Sequence, residues 1–210
     1  MDGGMGASAS PADTQDAHAM TAQTQPRSPQ VGTGHGATLW FTGLPSAGKT
    51  TLAEALALRL REAGRPVEIL DGDAVRPVLS PELGYSRADR DANVARIGWV
   101  ASRLARNGVL VLASVVSPFA AARDGVRASH ADAGTPFLEI HVATPVQTCA
   151  ERDVKGLYAR QRSGTLDGLT GIDGEYEPPP NADLRIDTAG RSVDDVTDDL
   201  ISLLRKENLL

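Results

Sequence analysis

The chain reads Gly43-Leu44-Pro45-Ser46-Ala47-Gly48-Lys49-Thr50, eight residues that match the phosphate-binding pattern G-x-x-x-x-G-K-[ST] at every fixed position. The residues before it, Thr38 to Thr42, form an apolar and aromatic run, which predicts a buried strand. After it, leucines recur every fourth residue from Leu52 to Leu60, which predicts a helix ended by Gly64. A glycine-rich turn between a strand and a helix directs backbone N–H groups toward a phosphate, so a nucleotide site is predicted here.

Two side chains of this loop carry the chemistry expected of such a site. Lys49 can reach the β- and γ-phosphates of a nucleotide, and the Thr50 hydroxyl suits Mg²⁺, so Mg²⁺ is expected to accompany ATP. The alternative is a glycine-rich turn that contains a Lys-Thr pair by chance, and the strand and helix predicted on either side disfavour it. The predicted ATP-binding residues of the loop are Gly43, Ser46, Ala47, Gly48, Lys49, Thr50 and Thr51.

Short apolar runs alternate with helical periods along the rest of the chain. Strands are predicted at Thr38–Thr42, Pro66–Leu70, Val109–Val116, Phe137–Ala143 and Leu184–Asp187. Helices are predicted at 50–63, at 87–107, at 119–133 with Pro118 in the first position, at 145–153, and after a Ser192 cap. The alternation predicts an α/β fold of the P-loop nucleoside triphosphate hydrolase type, a three-layer sandwich with a parallel sheet of about five strands and helices on both faces.

Composition divides the chain and excludes several classes of protein. Residues 1–36 contain no Leu, Ile, Phe, Trp or Tyr and are interpreted as a disordered tail, which leaves 37–210 as one domain. The net charge of −6 indicates no general attraction to nucleic acid or to an anionic membrane. The longest strongly apolar run, Val109–Val116, is far shorter than the roughly 20 residues of a membrane-spanning helix. With a single cysteine, Cys149, and no secretory signal, a cytoplasmic protein is expected.

Carboxylates follow the second predicted strand, where ligands collect in open α/β sheets. Asp71 and Asp73 could order Mg²⁺-bound water or accept a hydroxyl proton, and Arg76 could pair with an anionic acceptor. The strand at Val109–Val116 ends in serines, including Ser117, rather than in the acidic residue common in phosphate-loop ATPases. This pattern favours a small-molecule kinase over a GTPase or a motor ATPase. The alternative interpretation of the carboxylates is an Asp-Gly turn beside a surface arginine.

Two further groups of polar residues fit an acceptor site and a lid. Arg90 and Asn93 lie three residues apart on the helix predicted at 87–107, where they could grip a phosphate or sulfate, and Tyr85 just before it could stack on a base. Four cations, among them Arg152 and Lys155, fall within the eleven residues 152–162, where the aperiodic residues 154–182 begin. This arrangement suits a lid at about 153–182 that closes over transferring phosphates. The alternatives are a solvated helix face and a basic helix end.

These motifs together resemble the adenylylsulfate kinase (APS kinase) family, over about residues 37–208. The motifs that carry the resemblance, besides the phosphate loop, are Asp71-Gly-Asp73-x-x-Arg76, Leu83-Gly-Tyr85-Ser86-x-x-Asp89-Arg90-x-x-Asn93, Ser117-Pro118-Phe119, Arg152-Asp-x-Lys155-Gly-Leu-Tyr158 and Tyr176-Glu-x-Pro. The family transfers the γ-phosphate of ATP to the 3′-hydroxyl of adenosine 5′-phosphosulfate (APS) and makes the sulfate donor PAPS. Its members are usually homodimers and work beside ATP sulfurylase.

The resemblance implies a role for each matching residue. Catalysis would fall to Lys49, Asp71, Asp73 and Lys155, with Thr50 at the metal and Arg152 added to the ATP-binding residues. APS would be bound by Arg76, Tyr85, Arg90, Asn93, Ser117, Lys155 and Leu169. In this picture Asp73 faces the acceptor ribose, the phosphosulfate is held by the two arginines and Asn93, and Lys155 acts from the lid.

Some positions depart from the family pattern. Tyr85 stands where phenylalanine is usual, Ala74 stands where asparagine is common, and Leu169 precedes Thr-Gly where an aromatic residue is frequent, so the second face of the acceptor base would receive only an apolar contact. Ser117 matches a serine proposed as a phosphoserine site in some bacterial members, and its simpler interpretation is a helix cap before Pro118.

Two other functions stay open from the sequence. One is a related phosphate-loop kinase that uses another acceptor, such as a nucleoside monophosphate, gluconate or shikimate. The arginines and Asn93 on the acceptor side disfavour a neutral acceptor. The other is a catalytically silent nucleotide-binding regulator, which the presence of Lys49, Thr50, Asp71 and Asp73 disfavours.

Overall fold

The computed structural model describes Met1 and residues 35–210. The predicted tail, residues 1–36, lies outside the described residues apart from Met1, His35 and Gly36. The carbonyl of His35 accepts a hydrogen bond from Arg65 at 2.8 Å, so the described chain already contacts the domain two residues before the predicted boundary at 37. None of the helices in this part of the chain is both long enough and apolar enough to span a membrane.

A five-stranded parallel sheet forms the centre of the domain, with the strand order β2-β3-β1-β4-β5. The strands are β1 (Ala37–Thr42), β2 (Val67–Asp71), β3 (Leu110–Ser114), β4 (Phe137–Val142) and β5 (Leu184–Ile186). The central strand β1 is buried along its whole length because it pairs with β3 on one side and β4 on the other. The predicted fold class is confirmed, and each predicted strand is present within two residues of its expected ends.

Seven helices are described around the sheet. They are α1 (Lys49–Glu62), α2 (Gly72–Leu79), α3 (Arg87–Arg106), α4 (Ala120–Asp132), α5 (Val146–Arg152), α6 (Leu157–Arg162) and α7 (Val193–Lys206). Helices α1 and α7 contact each other on one face of the sheet, and α3 and α4 contact each other on the opposite face. Alternate residues of β1 supply both interfaces, since Leu39 and Phe41 belong to the core on the α1 side and Trp40 belongs to the core on the α3 side.

The structure differs from the sequence-based expectation at three elements. Helix α2, which no apolar period announces, begins at the Asp71 cap and accommodates Pro77 near its end. Helix α6 lies within the segment predicted as an aperiodic lid, and the carboxylate of Asp153 accepts hydrogen bonds from the N–H groups of Tyr158 and Ala159 in its first turn. Helix α4 is capped at Phe119, so Pro118 precedes the helix instead of occupying its first position.

Candidate active site

The phosphate loop has the backbone conformation that a phosphate cradle needs. Gly48 is the N-cap of α1 with a φ of 106°, and Gly43 has a φ of 148°, both in the region that favours glycine. Ser46 takes a φ of 60° between them, which places three residues of the loop in conformations uncommon for ordinary residues. The loop therefore wraps around the N-terminus of α1, where N–H groups and the helix dipole favour an anion.

Lys49 is buried beneath this loop. Its ammonium donates to the carbonyl oxygens of Gly43 at 2.9 Å and Leu44 at 2.8 Å. Burial lowers the pKa of Lys49 from its ordinary value to about 8. The two loop carbonyls thus hold the ammonium at the loop, close to where the phosphates of a nucleotide would accept its hydrogen bonds.

Three oxygen donors meet at the ends of β2, β3 and the start of α1. The Thr50 hydroxyl donates to a carboxylate oxygen of Asp71 at 2.5 Å and lies 3.2 Å from the Ser114 hydroxyl. The other Asp71 oxygen caps α2 by accepting from the N–H of Asp73 at 2.9 Å. One carboxylate and two hydroxyls fit Mg²⁺ that arrives with phosphate ligands. Among residues 35–210 there is no group of three or more His, Cys, Asp or Glu side chains that could hold a metal alone.

Asp73 and Lys155 form an ion pair across the cavity mouth. Asp73 lies in the first turn of α2, and Lys155 lies in the turn between α5 and α6. Both side chains are more than half exposed, so solvent and ligands can reach them. The pair brings together a potential proton acceptor and a potential phosphate-binding cation.

The acceptor-side residues surround Tyr85, whose side chain is exposed. The guanidinium groups of Arg76 and Arg90 lie 4.5 and 5.7 Å from the centre of its ring. Arg76 also donates to the carbonyl oxygens of Leu83 and Gly84. Two cations beside an open aromatic face can bind the anionic and the planar part of one ligand.

Arg90 ties α3 to the predicted lid. Its guanidinium donates to the Thr170 hydroxyl at 2.9 Å and to the Gly168 carbonyl at 3.0 Å, and its Nε donates to the Tyr85 carbonyl at 2.9 Å. Burial, with the nearby positive charge of Arg76, lowers the pKa of Arg90. These contacts hold the guanidinium in position at the wall of the cavity.

Within the described part of the chain, Asn93 carries a buried polar atom without a partner. The side chain is 95% buried, and among the described residues its Oδ1 atom has no hydrogen-bond partner. Asn93 nevertheless lines the cavity. An enclosed acceptor without a donor costs free energy, so this atom is a local weak point in the packing of the cavity wall.

One cavity of about 870 Å³ joins these groups, a volume within the range of small-molecule sites. The predicted site residues that line it are Ser46, Gly48, Lys49, Thr50, Thr51, Asp71, Asp73, Arg76, Tyr85, Arg90, Asn93, Ser117, Arg152 and Lys155. Gly43 and Ala47 do not line it, but the Gly43 carbonyl accepts from Lys49, and the Ala47 carbonyl accepts from Arg152 at 3.3 Å. Apart from Leu169, the residues predicted to bind APS therefore line the same cavity as most of those predicted to bind ATP.

Leu169 and Ser117 are placed differently from the sequence-based expectation. Leu169 does not line the cavity but is buried in the apolar core on the α1 side of the sheet. The Ser117 hydroxyl is buried, accepting from the Trp40 indole N–H at 3.0 Å and donating to the Thr42 hydroxyl at 3.0 Å. Ser117 therefore lines the cavity with its hydroxyl engaged by these two partners, and it does not cap α4, whose N-cap is Phe119.

Sequence reasoning missed three contributors to the cavity wall. Ser114 lies beside Thr50, at the strand end where many phosphate-loop ATPases have an acidic residue. Its position at the end of β3 could have identified it from the sequence. Thr188 accepts from Arg152 at 2.8 Å, and Arg191 lines the cavity just before α7. Both residues follow the last strand, whose carboxyl end faces the site. No recognisable sequence motif includes them, so the sequence did not identify them.

Comparisons with known proteins agree with this geometry. The model of the adenylylsulphate kinase family matches residues 35–187. An adenylyl-sulfate kinase of Synechococcus sp. (strain JA-3-3Ab) is 49% identical over 175 residues, which cover 83% of this chain and 97% of that protein. A probable adenylyl-sulfate kinase of Synechocystis sp. (strain ATCC 27184 / PCC 6803 / Kazusa) is 51% identical over 160 residues, 76% of this chain and 88% of that protein.

A solved structure is also similar. The Mycobacterium tuberculosis APS kinase CysC in complex with AMPPNP and APS is 44% identical, with a TM-score of 0.79, and the match covers 82% of this chain and 99% of that one. A family model that matches most of the chain, relatives at about half identity and a shared fold all lead to one assignment. The chain belongs to the adenylylsulphate kinase family.

Proposed function

We propose that the protein transfers the γ-phosphate of ATP to the 3′-hydroxyl of adenosine 5′-phosphosulfate and produces PAPS. The observation that carries the proposal is the single cavity, in which a phosphate loop and an arginine- and asparagine-lined acceptor wall meet. The similarity to an APS kinase described in complex with AMPPNP and APS supports the same pair of substrates.

In the proposed reaction, the acceptor oxygen attacks the γ-phosphorus and the bond from that phosphorus to the β–γ bridging oxygen breaks, so ADP leaves. Asp73 accepts the proton of the attacking hydroxyl. Lys49 releases the loop carbonyls and donates to the β- and γ-phosphate oxygens, where negative charge develops. Lys155, once its ion pair with Asp73 opens, neutralises the transferring group from the side of the lid.

The proposal includes Mg²⁺ as the companion of ATP. Thr50 and Asp71 would hold it, because their oxygens already lie together at the phosphate loop. The ion would neutralise charge on the β- and γ-phosphates. The loop backbone and Arg152 would hold the other phosphate oxygens of ATP. Arg152 is positioned for this because it donates hydrogen bonds both to the loop and to the segment before α7.

The acceptor wall accounts for the choice of APS. Arg76, Arg90 and Asn93, which line the cavity, would bind the phosphosulfate. Tyr85 would stack on the adenine, a contact worth roughly 1–3 kcal/mol for a base on an aromatic ring. A neutral acceptor would leave two arginines without an anion.

We further propose that the protein works in the cytoplasm as a homodimer, with ATP sulfurylase as its functional neighbour. The resemblance to the family is the ground for the dimer and the neighbour. A free, buried cysteine, Cys149, suits a reducing compartment. Light scattering of the purified chain tests the dimer, and a monomer at assay concentration would contradict it.

The deciding experiment uses purified protein with ATP, Mg²⁺ and APS and measures PAPS directly, alongside ADP release with a nucleoside monophosphate, gluconate or shikimate as acceptor. We expect PAPS with APS and only background ADP with the other acceptors. Lys49→Ala should lower kcat by about 10²- to 10³-fold, since it removes one charge-stabilising group. ATP binding without transfer to any acceptor would instead indicate a silent regulator, and transfer to another acceptor would contradict the APS assignment.

A second pair of variants separates the two halves of the cavity. Arg90→Ala should raise the KM for APS by at least about tenfold, because it removes a charge-assisted contact, and should leave the KM for ATP within about twofold. Arg162→Ala is the matched control, because Arg162 is an exposed arginine of α6 that does not line the cavity. Equal loss of both substrates in Arg90→Ala would place Arg90 outside the acceptor site.

A further inference from the structure

A second pocket, of about 270 Å³, lies on the far side of the phosphate-loop residue Leu44. Its lining residues are Leu44, His141, Val142, Ala143, Thr144, Tyr176, Pro178, Pro179 and Arg185. None of these residues lines the cavity described above, although the Thr144 hydroxyl lies 2.7 Å from that of Thr188 in its wall. No carboxylate is among these lining residues, although two of them are basic.

The two basic residues, His141 and Arg185, are neighbours because their strands pair in the sheet. His141 on β4 is the Cα partner of Arg185 on β5, so both side chains project from the same face. His141 is 93% buried, and among the described residues neither of its ring nitrogens has a hydrogen-bond partner. These nitrogens are not among the fully enclosed unsatisfied atoms, so they open into the pocket. Arg185 is exposed and forms no ion pair in the described part of the chain.

Neighbouring acids do not compensate these groups. Glu139, two residues before His141, binds both Arg123 and Arg127, and Asp183, two residues before Arg185, binds Arg127 at 2.9 Å. A guanidinium and an imidazole that face a small pocket without a carboxylate form a donor pair for an anion.

We propose that this pocket is a binding site for a small tetrahedral oxyanion, with Arg185 and His141 as the two donors. The volume is too small for a nucleotide and suits an inorganic ion. Tyr176 closes one side, because its ring centre lies 6.0 Å from that of His141 while its hydroxyl is engaged by Thr42 at 3.1 Å. Phosphate and sulfate share the required chemistry, and the experiment distinguishes them.

The electrostatics of His141 provide a readout specific to this site. Burial lowers the pKa of His141 to about 4, with further lowering by the positive charges of Arg185 from β5 and Arg123 from α4. Tyr176, the titratable group that faces it from the lid, has a pKa raised to about 12 by burial and stays neutral. A bound anion would stabilise the imidazolium, so its binding would raise the pKa of His141.

The test follows the imidazole signals of ¹⁵N-labelled full-length protein by nuclear magnetic resonance while phosphate or sulfate is added at constant ionic strength. Saturating ADP fills the phosphate loop, and His141→Phe assigns the signal and preserves the ring that packs on Tyr176. We expect a saturable shift and a rise of about one unit or more in the pKa of His141 at saturation. A saturable response to phosphate alone, to sulfate alone or to both supports the site and shows which of the two ions it binds.

Charge-matched variants decide whether Arg185 is the partner. Arg185→Gln should weaken anion binding by about tenfold, as expected for the loss of a charge-assisted bond, whereas Arg205→Gln, on the exposed face of α7, should change it by less than about twofold. Thermal unfolding checks that each variant is folded. A non-saturating shift that chloride reproduces, or equal affinities for the two glutamine variants, would overturn the proposal.

Discussion

At Lys49, two opposing requirements meet in one side chain. The ammonium must be charged to bind phosphates, yet its burial favours the neutral amine. The Gly43 and Leu44 carbonyls partly offset this cost by accepting its hydrogen bonds. The same contacts keep the nitrogen at the loop, so nucleotide binding needs a short movement rather than a rearranged side chain.

The lowered pKa of Lys49 predicts how ATP affinity depends on pH. The ordinary lysine pKa is 10.5, and in the free protein it is about 8, so only about one-tenth of the molecules carry the ammonium at pH 9. Phosphate groups are already ionised in this range. The Kd for ATP should therefore rise about tenfold between pH 7 and pH 9, measured by calorimetry. Lys49→Ala should bind weakly with a nearly constant Kd, and a flat profile in the unaltered protein would contradict the assignment.

Leu169 is a residue whose location was predicted wrongly from its neighbours in the sequence. Its position before Thr-Gly predicts contact with the acceptor base, but the structure places the side chain in the core, while the adjacent Thr170 hydroxyl accepts from Arg90. Leu169→Phe should then overpack the core and lower the free energy of unfolding by about 1–3 kcal/mol without tightening APS binding. Urea unfolding and APS calorimetry with ADP present measure both effects. Tighter APS binding at unchanged stability would restore the contact with the base.

Among the elements, α3 and α4 depend on one close approach. A Cβ atom added to Gly98 of α3 would lie 2.6 Å from a methyl carbon of Val126 on α4. Such a contact is too short, so the two helices can pack at their observed separation only because residue 98 has no side chain. Since α3 carries Arg90 and Asn93, this packing also sets the position of the acceptor wall.

Gly98→Ala should therefore lower the free energy of unfolding by about 1–3 kcal/mol, as overpacked cores do. Gly125→Ala is the matched control on α4, because an added Cβ there meets nothing within 4 Å. That change should stabilise the protein by about 0.5–1 kcal/mol through helix propensity alone. Urea titrations of both variants give the comparison, and similar changes of the same sign would show that close packing at residue 98 is not the cause.

Across the whole molecule, the sequence predicted best where periodicity is strong. The five strands and the long helices follow apolar patterns, and the phosphate loop, Asp71, Asp73 and Lys155 were placed by motif. Helices α2 and α6 were not predicted because they are short and lack an apolar stripe. Their first turns are held by local carboxylates, Asp71 at the N-cap of α2 and Asp153 just before α6. Long-range contacts such as that between Arg90 and Gly168 leave no spacing in the sequence by which to recognise them.

Arg123 joins parts of the molecule that are distant in sequence: the sheet, the cavity wall and the lid. Its buried guanidinium donates to the Glu139 carboxylate on β4 at 2.7 Å, to the Ser117 carbonyl after β3 at 2.7 Å, and to the Glu177 carbonyl at the end of the lid at 2.7 Å. One helix side chain thus fixes the sheet, the cavity wall and the lid to one another. Arg127 shares Glu139 but is more than one-third exposed.

Arg123→Ala should lower the free energy of unfolding by about 3–5 kcal/mol, because it leaves the Glu139 carboxylate and two carbonyls buried without this donor. Arg127→Ala, which removes a partly solvated partner of the same carboxylate, should cost about 1 kcal/mol or less. Arg123→Lys keeps the charge but cannot reach three acceptors from one planar group, so its loss should fall between the two. In that variant the KM for APS should also rise, since the wall at Ser117 and the lid at Glu177 are no longer held together. Urea unfolding and steady-state kinetics test this order, and a stability loss in Arg123→Ala no larger than in Arg127→Ala would show that the exposed pair, not the buried one, joins the domain.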